Sequence, residues 1–173
     1  MKYFFRIFVA AAVLAACFSA APVVADDAKP KNEVVEQGWT SHCDKPATKD
    51  APKYCEVANA LVMKDSHMQV ATFAVGFPDK NSKTARGAVV LPLGILVQQD
   101  VIMNVDDSKT PFTFRVQYCT PGGCFSYINL SPAVIEDMKK GSKAHFSFAA
   151  VGPQKIDIAF SLSGFGKTMK GIQ

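Results

Sequence analysis

Four cysteines carry the most chemical information in this chain: Cys43, Cys55, Cys119 and Cys124. Eleven residues separate the first pair and four separate the second. Zinc knuckles use close pairs with two to four intervening residues, so the first spacing argues against a zinc site. No redox Cys-x-x-Cys is present. The fifth cysteine, Cys17, leaves with an N-terminal export signal, and the even count that remains in an exported chain reads as two structural disulfides. Three pairings exist. The local one, Cys43–Cys55 with Cys119–Cys124, needs the least chain travel and is expected.

The remaining reactive types form no catalytic pattern. His42, His67 and His145 lie far apart, with no H-x-H or H-E-x-x-H spacing, and read as surface histidines. Gly164-Phe-Gly-Lys-Thr168 ends like a phosphate loop, but the full pattern needs glycine at position 161, which is Ser161. It reads as a turn after the last strand, with Phe165 packing back on the sheet. No G-x-S-x-G elbow occurs. Asp106-Asp107 read as a solvated hairpin turn. With no nucleophile, base or metal constellation, the expectation is a protein that is not an enzyme and needs no cofactor or metal.

The elements that position these residues follow a period of two. Phe112 to Tyr118 and Ile156 to Leu162 alternate without a break, and Val101 to Val105 and Ala144 to Phe148 do so loosely. Such alternation buries one face of a strand and wets the other. Glu56 to Val62, Gln69 to Val75 and Arg86 to Leu91 are further strand candidates because they are rich in Val and Ala, and Phe125 to Asn129 is strand-like. Turn signals lie between: Phe77-Pro-Asp, Asp106-Asp-Ser, Pro121-Gly-Gly and Val151-Gly-Pro. One helix is signalled, with Ser131 as cap, Pro132 at its first position, and Gly141 ending it after Lys139-Lys140. The expected fold is all-β: an antiparallel sandwich or barrel-like single domain of eight or nine strands, one short helix and two local disulfides. Leu91-Pro-Leu-Gly-Ile95 reads as a kinked apolar loop that either packs inside or forms part of an exposed patch.

The first 25 residues read as an export signal. Lys2 and Arg6 precede an apolar run, and small residues through Ala25 meet Asp26 at the expected cut. A second reading stays open, since Leu14-Ala-Ala-Cys17 has the form of a lipobox that would anchor the chain through a lipid on Cys17. Residues 26–37 are charged and aperiodic and read as a flexible lead-in to a domain spanning 38–173. Past the leader, 17 basic residues face 15 acidic ones. That balance argues against nucleic acid or anionic lipid as a partner. No second apolar segment reaches spanning length. The chain past the leader is therefore expected to work outside the cytoplasm.

In order, Gly38-Trp39 with Cys43, then Cys55, Gly87 with Leu91-Pro-Leu-Gly94, Cys119 with Gly123-Cys124, and Ser161-Leu-Ser-Gly-Phe165 resemble the invasion-associated locus B family of exported bacterial proteins. The resemblance spans Gly38 to about Met169. It implies a periplasmic, outer-membrane or secreted all-β domain associated with bacterial entry into host cells, notably erythrocytes. It implies no known catalytic residue, cofactor or mechanism. Two functions are compatible with it: a surface or periplasmic interaction module that meets a protein partner such as one on the host cell surface, or a periplasmic housekeeping or ligand-binding domain that affects entry only indirectly.

The hairpin around Cys119–Cys124 is the first candidate contact surface. Thr120-Pro-Gly-Gly123 supplies the fixed and positive φ angles of a tight reversal. Pro121 and Gly122 are expected at an exposed apex, with Tyr118, Phe125 and Tyr127 nearby. A pre-ordered loop loses less entropy on binding.

Overall fold

The computed structural model describes residues 33–44, 48, 54–78, 82–108, 110–152 and 154–172. The leader, with Cys17 and the Ala25–Asp26 junction, and the lead-in through residue 32 lie outside the described residues.

The described residues form eleven strands and two short helices. A seven-stranded antiparallel sheet runs in the order β1 (Val34–Glu36), β3 (Cys55–Met63), β4 (Gln69–Gly76), β5 (Ala85–Leu91), β9 (Gly123–Leu130), β8 (Tyr118–Thr120), with β2 (Thr40–Cys43) also pairing β3. A four-stranded sheet runs β11 (Gln154–Ser161), β10 (Lys143–Ala150), β6 (Val101–Val105), β7 (Phe112–Phe114). The sheets face each other as a sandwich and do not close into a barrel. The alternating apolar residues of β3, β4, β5 and β9 meet those of β6, β10 and β11 in one core. At its centre Phe73 is fully buried, 5.0 Å from Phe146 and 6.0 Å from Phe160 between ring centroids.

Three segments depart from the sequence expectation. Phe112 to Tyr118 is not one strand. Phe112 and Phe114 belong to the four-stranded sheet, and the chain then crosses to enter the other sheet at Tyr118. The inward direction is opposite for two facing sheets, so an unbroken alternation changes face on crossing. Phe112, Phe114 and Val116 pack on the core, whereas Tyr118 points outward and is 47% exposed. The crossing frees the Arg115 carbonyl from any ladder, and the buried Ser126 hydroxyl donates to it at 2.9 Å.

The second departure is the end of the lead-in. Val34–Glu36 is a strand, with Val35 opposite Val62 and the Glu36 carboxylate accepting the Ser161 N–H at 2.5 Å. Two β-branched valines and one well-placed acceptor outweigh the charged context. Next to it, Gly38 at φ +81° breaks the edge and turns Trp39 inward. The Trp39 indole donates to the Ser161 carbonyl at 2.7 Å and meets Phe165 edge-on at 4.8 Å.

The third is a second helix, α2 (Phe165–Lys170), where a turn was expected. Gly164 opens it at φ +87°, and Phe165 and Met169, four apart on one face, are both fully buried. Phe165 does pack back as expected, but from a helix. The first helix, α1 (Pro132–Lys140), is capped by the Ser131 hydroxyl, which accepts from the Val134 N–H at 3.4 Å.

Asp106 is more than a solvated turn residue. At φ +48° its carboxylate accepts the backbone N–H groups of Ser142 and Lys143, at 2.9 and 2.8 Å, tying the end of β6 to the start of β10. Those two bonds, with a smaller contribution from His145, hold its acid below the ordinary aspartate range. A lowered folded value means the carboxylate stabilises the fold fully above the unfolded value of about 3.9, and the gain fades as pH falls through the folded value. Asp106→Asn should therefore melt below the parent near pH 7, with the gap closing toward about pH 3. Melting curves at both pH values check this; an equal gap at each would refute it.

Candidate interaction surface

Both local disulfides form within the seven-stranded sheet. Cys43 lies directly opposite Cys55 on β2 and β3, and Cys119 opposite Cys124 on β8 and β9. Each pair brings its Cα atoms to 4.0 Å. The second closes the hairpin, whose exposed apex is Pro121 and Gly122. The left-handed φ that the turn requires falls on Gly123, at +133°, and not on Gly122. A Cβ at Gly123 would also lie 2.8 Å from the Leu91 carbonyl oxygen, so glycine is fixed there by close approach as well.

The strand pleat sorts the hairpin into two faces. Cys124 points inward and is 2% exposed, while Tyr118, Phe125 and Tyr127 point outward. Tyr118 and Phe125, directly opposite one another, stack with ring centroids 5.2 Å apart and planes 12° from parallel. The hydroxyls of Tyr118 and Tyr127 share a hydrogen bond of 3.2 Å, which with partial desolvation raises the Tyr118 phenol above its ordinary value. Tyr127, like Tyr118, is 47% exposed, so the cluster is open to solvent.

Register extends this surface across the sheet. One outward row runs Tyr118, Phe125, Val90, Thr72, Ala60; the next runs Tyr127, Ala88, Ala74, Ala58, Thr40; the third runs Asn129, Arg86, Gly76, Glu56, His42. The middle of the face is therefore alanine and glycine. Around Gly87 and Ala88 lies a shallow hollow of about 420 Å³ walled by Tyr54, Glu56, Arg86 and Tyr127. The Tyr54 hydroxyl lies across Gly76, only 2.8 Å from where a Cβ would stand, and bonds Glu56. Burial first, then the Glu56 charge, raises the Tyr54 phenol; nearby Arg86 opposes this.

The hollow was not legible in the sequence, because Glu56, Gly76 and Arg86 meet only through strand register. One signal was present. Ala58, Ala60, Ala74 and Ala88 fall at alternate positions where a solvated face reads polar, which marks an unusually flat surface.

The other singled-out residues do not converge. His42 lies 3.7 Å from Asp44, both well exposed. His67 occupies a left-handed turn at φ +53°, and His145 pairs across to Asn104 and Ala159. Among the described residues no three His, Cys, Asp or Glu side chains cluster as metal ligands. The Leu91–Ile95 segment divides: Leu91 and Ile95 are buried, Pro92 ends β5, and Leu93 is 57% exposed. Bonds from Leu96 N–H to the Ala149 carbonyl and from Val151 N–H to the Gly94 carbonyl, both 2.8 Å, bind this loop to β10. No helix among the described residues is long and apolar enough to cross a membrane.

Comparison with known proteins supports the resemblance. The family model described as "Invasion associated locus B (IalB) protein" matches residues 39–173. "Invasion protein B" of Bartonella bacilliformis is 26% identical over 137 residues, covering 78% of this chain and 70% of that protein. The crystal structure of invasion associated protein b from Bartonella henselae superposes with a TM-score of 0.68 at 20% identity, over 78% of this chain and 89% of that one, and so shares the fold. With a family match across nearly the whole folded region, this chain belongs to the invasion associated locus B family.

Proposed function

We propose that the protein is an exported, non-enzymatic module of the bacterial envelope or surface that aids entry into host cells through contact with a protein partner. The observation that carries this reading is the disulfide-closed hairpin with its outward aromatic cluster. Two stacked rings and a tyrosine pair, fixed on a sheet edge, offer large contact area at small entropy cost, which is what interface anchors need. The family match supplies the link to invasion. The leader, read as cut between Ala25 and Asp26, would deliver the domain across the inner membrane; a lipid on Cys17 is the alternative. The mass of the protein recovered from the envelope separates these two.

Direct contact requires exposure on the cell. Protease shaving of intact bacteria should remove the protein; a protein left whole would sink direct host contact and favour a periplasmic role. A loop variant tests the surface itself. Pro121→Ser with Gly122→Ser alters only exposed apex residues whose conformation needs no positive φ, so stability should change by less than about 1 kcal/mol. Entry should fall. Normal entry at normal abundance would remove the loop from the contact surface.

A further inference from the structure

The hollow on the outer face of the seven-stranded sheet has a chemistry distinct from the hairpin apex. Its walls are two phenols, Tyr54 and Tyr127, and its floor is Gly87 and Ala88. Its rim carries one cation, Arg86, and one anion, Glu56, in the same cross-strand row with only Gly76 between them. Arg86 is exposed and makes no ion pair among the described residues. We infer that this hollow binds a short neutral saccharide.

Each alternative ligand class meets an obstacle in these residues. An anion would face the Glu56 carboxylate beside Arg86. An acyl chain would desolvate both charges. A nucleic acid strand needs several cations along its backbone, and the hollow holds one. A neutral sugar ring meets none of these. Its C–H face lies flat on an aromatic ring, and its hydroxyls both donate and accept. Glu56 can accept from adjacent hydroxyls while Arg86 donates to others in its fork geometry. Ala88 is the one outward side chain of the floor, and Gly87 turns toward the core, so the ring can approach the backbone. Few polar groups converging beside aromatic walls are the usual make-up of a small-molecule site. Beyond the hollow, the stacked Tyr118 and Phe125 rings extend the aromatic surface, giving a second sugar a place to lie.

The inference goes beyond protein contact at the hairpin and shares only Tyr127 and its neighbours with it. Isotope-labelled protein titrated with N-acetyllactosamine and with a trimer of N-acetylglucosamine tests it. The first represents animal-cell glycans and the second the sugar of the bacterial wall. The expected result is saturable shifts of the Gly76, Arg86, Gly87, Ala88 and Tyr127 amides, with Kd between about 0.1 and 10 mM for at least one sugar. The sugar that saturates names the source. Arg86→Gln and Tyr127→Ala should each weaken binding about tenfold, the effect of one well-made contact. Lys155→Ala, in the other sheet, should leave it unchanged. Arg86 is exposed, so its variant keeps the fold even if Tyr127→Ala proves unstable, as melting curves of both would show. No saturable shift with either sugar at about 20 mM, or binding unaffected by Arg86→Gln, would overturn the inference. Sugar binding that persists in the Pro121/Gly122 variant while entry is lost would separate this site from the hairpin surface.

Discussion

Phe73→Ala should lower the free energy of unfolding by about 3–5 kcal/mol, among the largest losses available to a single side chain here. Phe73 sits on β4, in the middle of the seven-stranded sheet, and is 0% exposed. Its ring is met edge-on by Phe146 at 5.0 Å and Trp39 at 5.8 Å, and by Phe160 at 6.0 Å. Those three partners come from the opposite sheet and from the broken edge between β1 and β2. Removing the ring thus opens a cavity where the two layers and the edge meet. Neighbouring rings held on paired strands cannot collapse into it. Each edge-to-face pair adds about 0.5–1.5 kcal/mol beyond area burial, so the cost should lie toward the upper end of the range. A domain of this size has about 5–15 kcal/mol in total, and the variant should be marginal at 37 °C. Urea unfolding followed by the single tryptophan, Trp39, reports the same region. A loss below about 1 kcal/mol would mean that Phe73 is not the hub of the core. Leu93→Ala, at a site 57% exposed, is the control and should shift stability by less than about 0.5 kcal/mol.

Why some of this fold is readable in the sequence and some is not comes down to the range of the forces involved. The strands β10 and β11 announce themselves because a half-buried strand needs only its own alternation, and β3, β4 and β5 because short Val- and Ala-rich runs lie between turn signals. The Phe112–Tyr118 segment keeps that alternation perfectly and still misleads, because which sheet a residue joins is a long-range fact. Tyr118 faces solvent only because the chain changes layer between Phe114 and Tyr118. The helix α2 has no side-chain cap, and its six residues lean on burial of Phe165 and Met169, the former against Trp39, more than a hundred residues away. At the candidate surface, the hairpin residues Tyr118, Pro121, Gly122, Phe125 and Tyr127 were within reach because one local disulfide and one turn position them. Tyr54, Glu56 and Arg86 were not. They become neighbours through the β3–β4–β5 register, which no local pattern encodes.

Removing the two disulfides separately should show that they do different work. Cys43→Ala with Cys55→Ala should lower stability by about 3 kcal/mol, and Cys119→Ala with Cys124→Ala by about 2 kcal/mol, from the entropy of the loops they close. The sequence separations, 12 and 5, set that order. Together the losses approach the lower limit of a typical domain's stability, so a variant lacking all four cysteines should be largely unfolded at 37 °C. The location of the damage should differ more than its size. Cys43–Cys55 fixes β2 to the start of β3, beside the Glu56 and Tyr54 wall of the hollow. Cys119–Cys124 fixes β8, an edge strand held by only three residue pairs. With its disulfide gone, β8 keeps its short ladder, the Gln117 bonds to the Phe125 and Tyr127 carbonyls, and the Tyr118 stack and hydroxyl bond, all at an exposed edge. Strand ends with few buried contacts open well below the global unfolding energy. Hydrogen exchange should therefore accelerate at residues 117–120 in the Cys119/Cys124 variant while β3, β4 and β5 stay protected. In the Cys43/Cys55 variant, β2 and the start of β3 should exchange faster and the hairpin should not. Uniform acceleration in both would mean that each disulfide acts only through global stability. The aromatic cluster would then owe its position to the sheet alone, and loss of entry in the Cys119/Cys124 variant could no longer be assigned to a frayed hairpin.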